Sequence, residues 1–144
     1  MKLISFIIPL LAVLPAARSV LVHYDTVYDN PATSLNTVAC SDGKNGMITK
    51  GYTTFGSLPS FPHIGAASAV EGYNSASCGS CWELSYANDK TTTSIHVTAI
   101  DHATEGFVIT RMGLQHLGGQ QAVDAGKINV TATRVGGSLC GLKS

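Results

Sequence analysis

The sequence predicts a mainly β domain that closes into a small barrel and carries two disulfides. Segments that alternate apolar and polar residues, most clearly 127–135, are separated by turns about every ten residues. Helical patterns are few and short. Four cysteines in a chain of 144 residues are typical of a small extracellular domain held together by disulfides.

The first 19 residues have the layout of a secretory signal peptide. Lys2 precedes an apolar run over residues 3–14, and the small residues Ala17 and Ser19 occupy the minus-three and minus-one positions of a cut after Ser19. The run is shorter than the about 20 apolar residues of a transmembrane helix, which disfavours an N-terminal membrane anchor. We therefore expect a signal peptide at 1–19 and one secreted, extracellular domain at 20–144.

Composition excludes some classes of partner. Without its first 19 residues the chain keeps seven basic and nine acidic side chains, a net charge of −2. Neither this charge nor any basic run favours nucleic acid or an anionic membrane as a partner. Charged residues are sparse and Gly, Ser, Thr and Ala are abundant, so the surface is predicted to be neutral and rich in hydroxyls. Such a surface suits neutral ligands such as sugars without identifying one.

The four cysteines, Cys40, Cys78, Cys81 and Cys140, predict two disulfides in one of three pairings. A Cys78–Cys81 bond would be a strained and reducible C-x-x-C link, which disfavours the pairing that contains it. Bridges over loops of this length contribute roughly 4 kcal/mol each in the loop-entropy description. A metal site is not expected, because the chain lacks a second C-x-x-C and the histidines show no ligand spacing.

The first half of the chain contains little regular pattern. Residues 20–24 are β-branched and aromatic and predict a strand, and Ser34 is placed to cap one or two helical turns over 34–40. Residues 41–46 are dense in turn-forming Gly, Asn and Asp. Residues 51–76 carry Gly, Pro and Ser with little periodicity, which predicts an ordered but irregular connection.

The second half is more regular. Residues 81–86 and 93–101 predict a β-hairpin, in which Asp101 ends the second strand on the same side as Ala99. Thr110 is a candidate N-cap for a helix over 111–117 that Gly118 and Gly119 end. Residues 120–125 predict a second short turn of helix stopped by Gly126, and 127–135 predict a strand.

Five segments in register resemble the cerato-platanin family, small secreted proteins of filamentous fungi. They are VHYDTVYD at 22–29, CSDGKNG at 40–46, CGSCWEL at 78–84, AIDHA at 99–103 followed by GF at 106–107, and SLCG at 138–141. The number, order and spacing of the cysteines also agree. The resemblance implies a six-stranded double-psi β-barrel related to an expansin domain, the pairing Cys40–Cys78 and Cys81–Cys140, and no cofactor.

The resemblance also implies a function. Family members are secreted or wall-associated, bind chitin or N-acetylglucosamine oligomers, loosen cell walls as expansins do, elicit plant defence, and in some cases self-assemble. The chain departs from the family at Val108, where an asparagine thought to line the sugar groove is usual. Valine offers no hydrogen bond there, which predicts weaker sugar binding or a groove with another use.

Asp101 is the candidate chemical residue, because it ends a strand in an otherwise uncharged segment with His102 beside it. We expect its carboxylate to accept hydrogen bonds from sugar hydroxyls, against the alternative of a turn carboxylate that caps backbone N–H groups. The resemblance supports the first interpretation, since the matching aspartate of double-psi endoglucanases is the acid of the catalytic pair. Further sugar contacts are expected from Tyr28, Asn45 and Asp25.

Hydrolysis of a glycoside needs a second carboxylate, and Asp25, Asp29 and Asp42 are the candidates. The family pattern does not keep the catalytic base, so we expect a non-catalytic protein that binds chitin oligomers or cell-wall polysaccharide. The alternatives are a weak double-psi endoglucanase and a self-assembling, surface-active hyphal wall protein. A plant receptor is a further expected partner.

Two other residues have a mainly structural interpretation. Trp82 follows Cys81 in a predicted strand and is expected in the core more than on a binding surface. Asn129 begins a sequon, Asn129-Val130-Thr131, but its position in the middle of a predicted strand argues against glycosylation.

Overall fold

The computed structural model describes residues 4–5, 7 and 16–143, so most of the apolar run of the predicted signal peptide lies outside the described residues. None of the helices in the described part is long and apolar enough to cross a membrane. The strands and the α-helix are β1 Arg18–Tyr24, β2 Ile64–Ala67, β3 Cys81–Ala87, β4 Thr92–His102, β5 Phe107–Ile109, α1 Arg111–Ala125 and β6 Lys127–Val135. Short 3₁₀ turns lie at Thr26–Tyr28, Leu35–Thr37, Phe55–Ser57 and Gly137–Cys140.

The six strands form a closed barrel in the order β1-β5-β2-β4-β3-β6. Two neighbouring pairs, β1 with β5 and β2 with β4, are parallel, and the other pairs are antiparallel. The predicted six-stranded barrel fold is therefore confirmed. The core is filled by apolar side chains that are fully buried, among them Val22, Ile64, Leu84, Val97 and Ile109.

The strongest local patterns form the elements that they predict. β3 and β4 make the predicted hairpin, and β6 has the predicted bounds. The two predicted helical segments are the two halves of α1, which departs from helical geometry at Gly119 (φ 75°). The Thr110 hydroxyl caps α1 by accepting the N–H of Gly113, and Gly126 ends it with a φ of 80°.

The prediction of an irregular connection over residues 51–76 is wrong at Ile64–Ala67, which form β2. All four residues of this strand are buried, so it has no alternation of apolar and polar residues to reveal it. Gly65 makes the strand possible, because a Cβ at this position would lie 2.2 Å from the carbonyl oxygen of Val108 in β5. Only a residue without a side chain permits the two backbones to come this close.

The disulfides join Cys40 to Cys78 and Cys81 to Cys140, as the family resemblance implies. The Cα atoms are 5.4 Å and 5.8 Å apart in the two bonds. The first bond ties the irregular segment before residue 47 to the turn that precedes β3. The second ties the C-terminal 3₁₀ turn to the first residue of β3.

The close approach at Gly65 predicts the effect of two glycine substitutions. We expect Gly65→Ala to lower the free energy of unfolding by about 1–3 kcal/mol, because the added methyl group forces β2 and β5 apart. Gly72 is the matched control, since a Cβ there meets nothing within 4 Å. Urea unfolding of both variants measures the difference, and equal stabilities would contradict this account of β2.

Candidate functional site

A register shift between β2 and β4 determines the position of Asp101. Gly65 pairs with Ala99, whereas the next residue of β2, Ala66, pairs with Asp101, so Ile100 has no partner on β2. Because successive residues of a strand point to opposite faces, this bulge moves Asp101 to the face opposite that of Ala99. The prediction that the two residues share a side is wrong for this reason.

Three hydrogen bonds hold the carboxylate of Asp101. Its Oδ1 accepts the backbone N–H groups of Ala39 and His102, each at 3.0 Å. Its Oδ2 accepts the hydroxyl of Tyr28 at 2.8 Å. A carboxylate offers about four acceptor positions, so one position remains on this partly exposed side chain. The carboxylate is therefore fixed in orientation and still able to accept a further hydrogen bond.

Tyr28 is a buried neighbour of this carboxylate. Its side chain is 8% exposed, and its ring centroid lies 6.1 Å from that of Phe55. Burial, followed by the hydrogen bond to Asp101, raises the pKa of Tyr28 above its ordinary value, and the charge of Asp25 adds to the increase. Tyr28 thus orients Asp101, and its ring face is covered by the core.

Asp25 lies close to this pair and caps the turn that carries Tyr28. Its side chain accepts the N–H of Val27 at 2.9 Å, and its own N–H donates to the carbonyl of Ile109 at 3.0 Å. Asp25 acts through its charge on Tyr28, three residues further along the chain, and Tyr28 in turn binds Asp101, which is 73 residues away in the sequence.

Asn45 belongs to a different set of contacts. Its backbone N–H donates to Oδ1 of Asn74 at 2.9 Å, and its side-chain amide donates to the Asn74 carbonyl at 3.0 Å. Among the hydrogen bonds of residues 16–143, none joins Asn45 to Asp101. Nearby, Tyr73 is 64% exposed and donates its hydroxyl to Asp42 at 2.9 Å. Tyr73 is not among the predicted sugar contacts, although an aromatic residue in a loop of Gly, Asn and Ser is a signal for one.

Val108 lies in the same row of the barrel wall as Asp101. The strand registers align His23, Val108, Ala66 and Asp101 across β1, β5, β2 and β4. Phe107 and Ile109 point into the core, so Val108 points outward. Neighbouring strands are about 4.8 Å apart, which puts Val108 roughly 10 Å from Asp101. Only Ala66 lies between them in this row, and it is small and buried.

The other candidate acids have structural partners. Asp29 accepts the N–H groups of Arg111 and Met112, at 2.9 and 3.2 Å, and so caps α1. Asp42 binds the Tyr73 hydroxyl, and Asp25 caps its own turn. These contacts give each carboxylate a role in the fold. Over residues 16–143 the structure shows no group of three or more His, Cys, Asp or Glu side chains arranged to hold a metal ion.

Trp82 and Asn129 lie on other parts of the barrel. Trp82 is partly buried, packs edge-on against Phe107 at 5.5 Å and donates its indole N–H to Ser80. Asn129 is exposed on β6, between the buried residues Ile128 and Val130. The low occupancy expected for its sequon stays a prediction.

These features define a class: a disulfide-linked, six-stranded barrel with a fixed carboxylate on its outer face. The chain belongs to the cerato-platanin family, because the family model described as Cerato-platanin matches residues 20–142. The match includes the segment of Asp101 and both disulfides.

Relatives and solved structures agree with this assignment. The chain is 46% identical to the heat-stable 19 kDa antigen of Coccidioides immitis over 136 residues, which cover 94% of this chain and 90% of that protein. It is similar to the crystal structure of cerato-platanin 2 from M. perniciosa, with 44% identity, a TM-score of 0.83 and coverage of 87% and 100%. The solution structure of the fungal elicitor cerato-platanin is 30% identical, with a TM-score of 0.72 and coverage of 83% and 95%.

The raised pKa of Tyr28 predicts that its phenol stays neutral in the folded protein at a pH where a free tyrosine ionises. The neutral phenol stabilises the folded state fully below the unfolded-state pKa of about 10, and this contribution is lost as the pH rises towards the folded-state pKa. We therefore expect Tyr28→Phe to leave the tyrosinate absorbance of the folded protein unchanged near pH ~10.5. A decrease by one tyrosine in this variant would contradict the buried position of Tyr28.

Proposed function

We propose that this protein is a secreted, non-catalytic carbohydrate-binding protein that takes chitin or N-acetylglucosamine oligomers along the face of Asp101. The observation that carries the proposal is the fixed carboxylate, which has one free acceptor position at a partly exposed site. A sugar hydroxyl or acetamide N–H is the matching donor. Hydrogen bonds to a charged acceptor contribute about 1.5–3 kcal/mol each.

Preorganisation supports this function. The bonds from Ala39, His102 and Tyr28 exist before a ligand arrives, so the carboxylate loses little rotational freedom on binding. The chain also carries few charges, and a neutral glycan needs no opposite charge on the protein. The surface and the site therefore suit the same class of ligand.

The proposed activity is binding without hydrolysis. A glycosidase needs a second carboxylate at about 5–5.5 Å or about 6.5–9.5 Å from the first, as nucleophile or as general base. Asp25, Asp29 and Asp42 are engaged in capping or in a tyrosine contact, which supports a structural role for each. Binding alone is sufficient to disturb non-covalent contacts between polysaccharide chains, which is the expansin-like part of the proposal.

The proposed location is outside the fungal cell, in the medium or at the wall. Both disulfides are consistent with an oxidising compartment. One relative of known structure is described as a fungal elicitor, and we extend that role to this chain, with a plant receptor as a second partner. Wall polysaccharide and its soluble oligomers are the first partners to test.

Asp101→Asn tests the binding site. We expect this variant to bind N-acetylglucosamine oligomers at least 10-fold more weakly in an NMR titration, because it loses the charge of the acceptor. Asp89→Asn, an exposed residue in the turn between β3 and β4, is the matched control and should bind as the wild type does.

Two outcomes of these measurements would count against the proposal. Equal affinities of the two variants, or chemical-shift changes far from Asp101, would reject the site. Sustained release of reducing ends from chitin or cellulose oligomers, abolished by Asp101→Asn, would show an enzyme instead.

Val108→Asn tests the extent of the ligand along the barrel wall. The substitution adds an amide to an outward position roughly 10 Å from Asp101. One additional neutral hydrogen bond contributes about 0.5–1.5 kcal/mol, so we expect binding of longer oligomers to become about 2- to 12-fold tighter. The same change should leave the affinity for a single N-acetylglucosamine unit at Asp101 unchanged. Unaltered affinity for every oligomer would place Val108 outside the groove.

A further inference from the structure

His63 and His116 form a pair that their positions in the sequence do not reveal. Nε2 of His63 and Nδ1 of His116 are 2.8 Å apart, although 53 residues separate the two histidines. Their ring centroids are 5.1 Å apart and the rings are nearly perpendicular, at 84°. Two ring nitrogens therefore face each other at the surface, where one N–H is shared between them.

The elements that carry the two rings are fixed to each other. His116 lies in α1, whose N-cap hydroxyl on Thr110 accepts the N–H of Gly113 at 2.9 Å. The same hydroxyl donates to the carbonyl oxygen of Pro62, the residue before His63. One side chain thus sets both the start of α1 and the position of the loop that presents His63.

The loop is also fixed to the barrel. The carbonyl oxygen of His63 accepts the N–H of Thr98 in β4 at 3.1 Å and the hydroxyl of Ser60 at 2.8 Å. The N–H of His63 donates to the Ser60 carbonyl at 2.7 Å. Both rings therefore extend from rigid backbone, which is what a preorganised site requires.

The distance between the nitrogens is close to that of two ligands on one cation. A tetrahedral ion with metal–nitrogen bonds of about 2.0–2.1 Å holds its ligand nitrogens about 3.3 Å apart. To bind one ion, the two nitrogens have to separate by about 0.5 Å and the exposed His116 ring has to turn until both lone pairs point at the ion. Burial, followed by the charge of the nearby His116, lowers the pKa of His63, which favours its neutral ring. Neutral imidazole is the form that binds metals.

We propose that Nε2 of His63 and Nδ1 of His116 form a binding site for a divalent transition-metal cation, Zn²⁺ or Cu²⁺. Imidazole ligands select these ions over Mg²⁺ and Ca²⁺, which require oxygen ligands. Water completes the coordination, because the pair is at the surface. The site is separate from Asp101 and does not depend on the proposed sugar binding.

A third histidine, His96, lies near His63. His63 and His96 line one surface depression of about 430 Å³. Nε2 of His96 lies 3.1 Å from a carboxylate oxygen of Glu83. A bound cation would also join α1 to the loop before β2 and so stabilise the fold.

Calorimetric titration with Zn²⁺ tests the site on protein without a polyhistidine tag. We expect one saturable site in the wild type and at least 10-fold weaker binding in His116→Gln and in His63→Gln. His116 is exposed on a helix, so its substitution leaves the fold intact. His23→Gln, which removes a histidine from β1, is the matched control and should bind as the wild type does.

NMR of the imidazole nitrogens identifies the ligands directly. Zn²⁺ should shift Nε2 of His63 and Nδ1 of His116, and the thermal midpoint should rise with Zn²⁺ in the wild type but not in His116→Gln. Binding that survives both substitutions, an equal loss in His23→Gln, or the absence of a saturable site would overturn the proposal. Sugar binding should be the same with and without Zn²⁺, so a failure of either proposal can be recognised separately.

Discussion

Closure of the barrel depends on one close approach between two backbones. β2 is the strand that joins β5 to β4, and its Gly65 lies so near the Val108 carbonyl that any side chain would collide with it. Because the side chain of residue 65 is only a hydrogen atom, β2 can pair along both edges, parallel to β4 and antiparallel to β5. The register shift in the same strand moves Asp101 to the outer face. Four residues therefore determine both the closed sheet and the candidate site.

The carboxylate of Asp101 connects the barrel to the segment that covers it. Tyr28 and Ala39 belong to the irregular segment between β1 and β2, and both bind this one side chain. The disulfide between Cys40 and Cys78 links the same segment to the turn before β3. A partly buried charge is tolerated here because hydrogen bonds replace the water that it has lost. The same bonds leave one acceptor position fixed in direction, so the residue that joins these segments is also the proposed binding group.

Polar groups also stabilise the fold at the N-terminus of α1. Asp29 binds the N–H groups of Arg111 and Met112, and the Thr110 hydroxyl bridges Gly113 and Pro62. These contacts satisfy N–H groups that have no partner within the helix. They also fix α1 against the loop before β2, where the two facing histidines meet. A helix of modest apolar character is thus positioned by its N-terminus as well as by its buried side chains.

The sequence alone determined the features that have a local cause. Alternation predicted β6 and the β3–β4 hairpin, Thr110 and Gly126 predicted the ends of α1, and the family resemblance gave the disulfide pairing. The resemblance also selected Tyr28 and Asp101, which are hydrogen-bonded in the structure, and Asp25, which caps the turn that carries Tyr28. Only the tertiary structure determined β2, the bulge at Ile100 and the contact of His63 with His116. A four-residue strand buried on both faces has no periodicity, and a contact across 53 residues has no local signal, because both exist only once the sheet has closed.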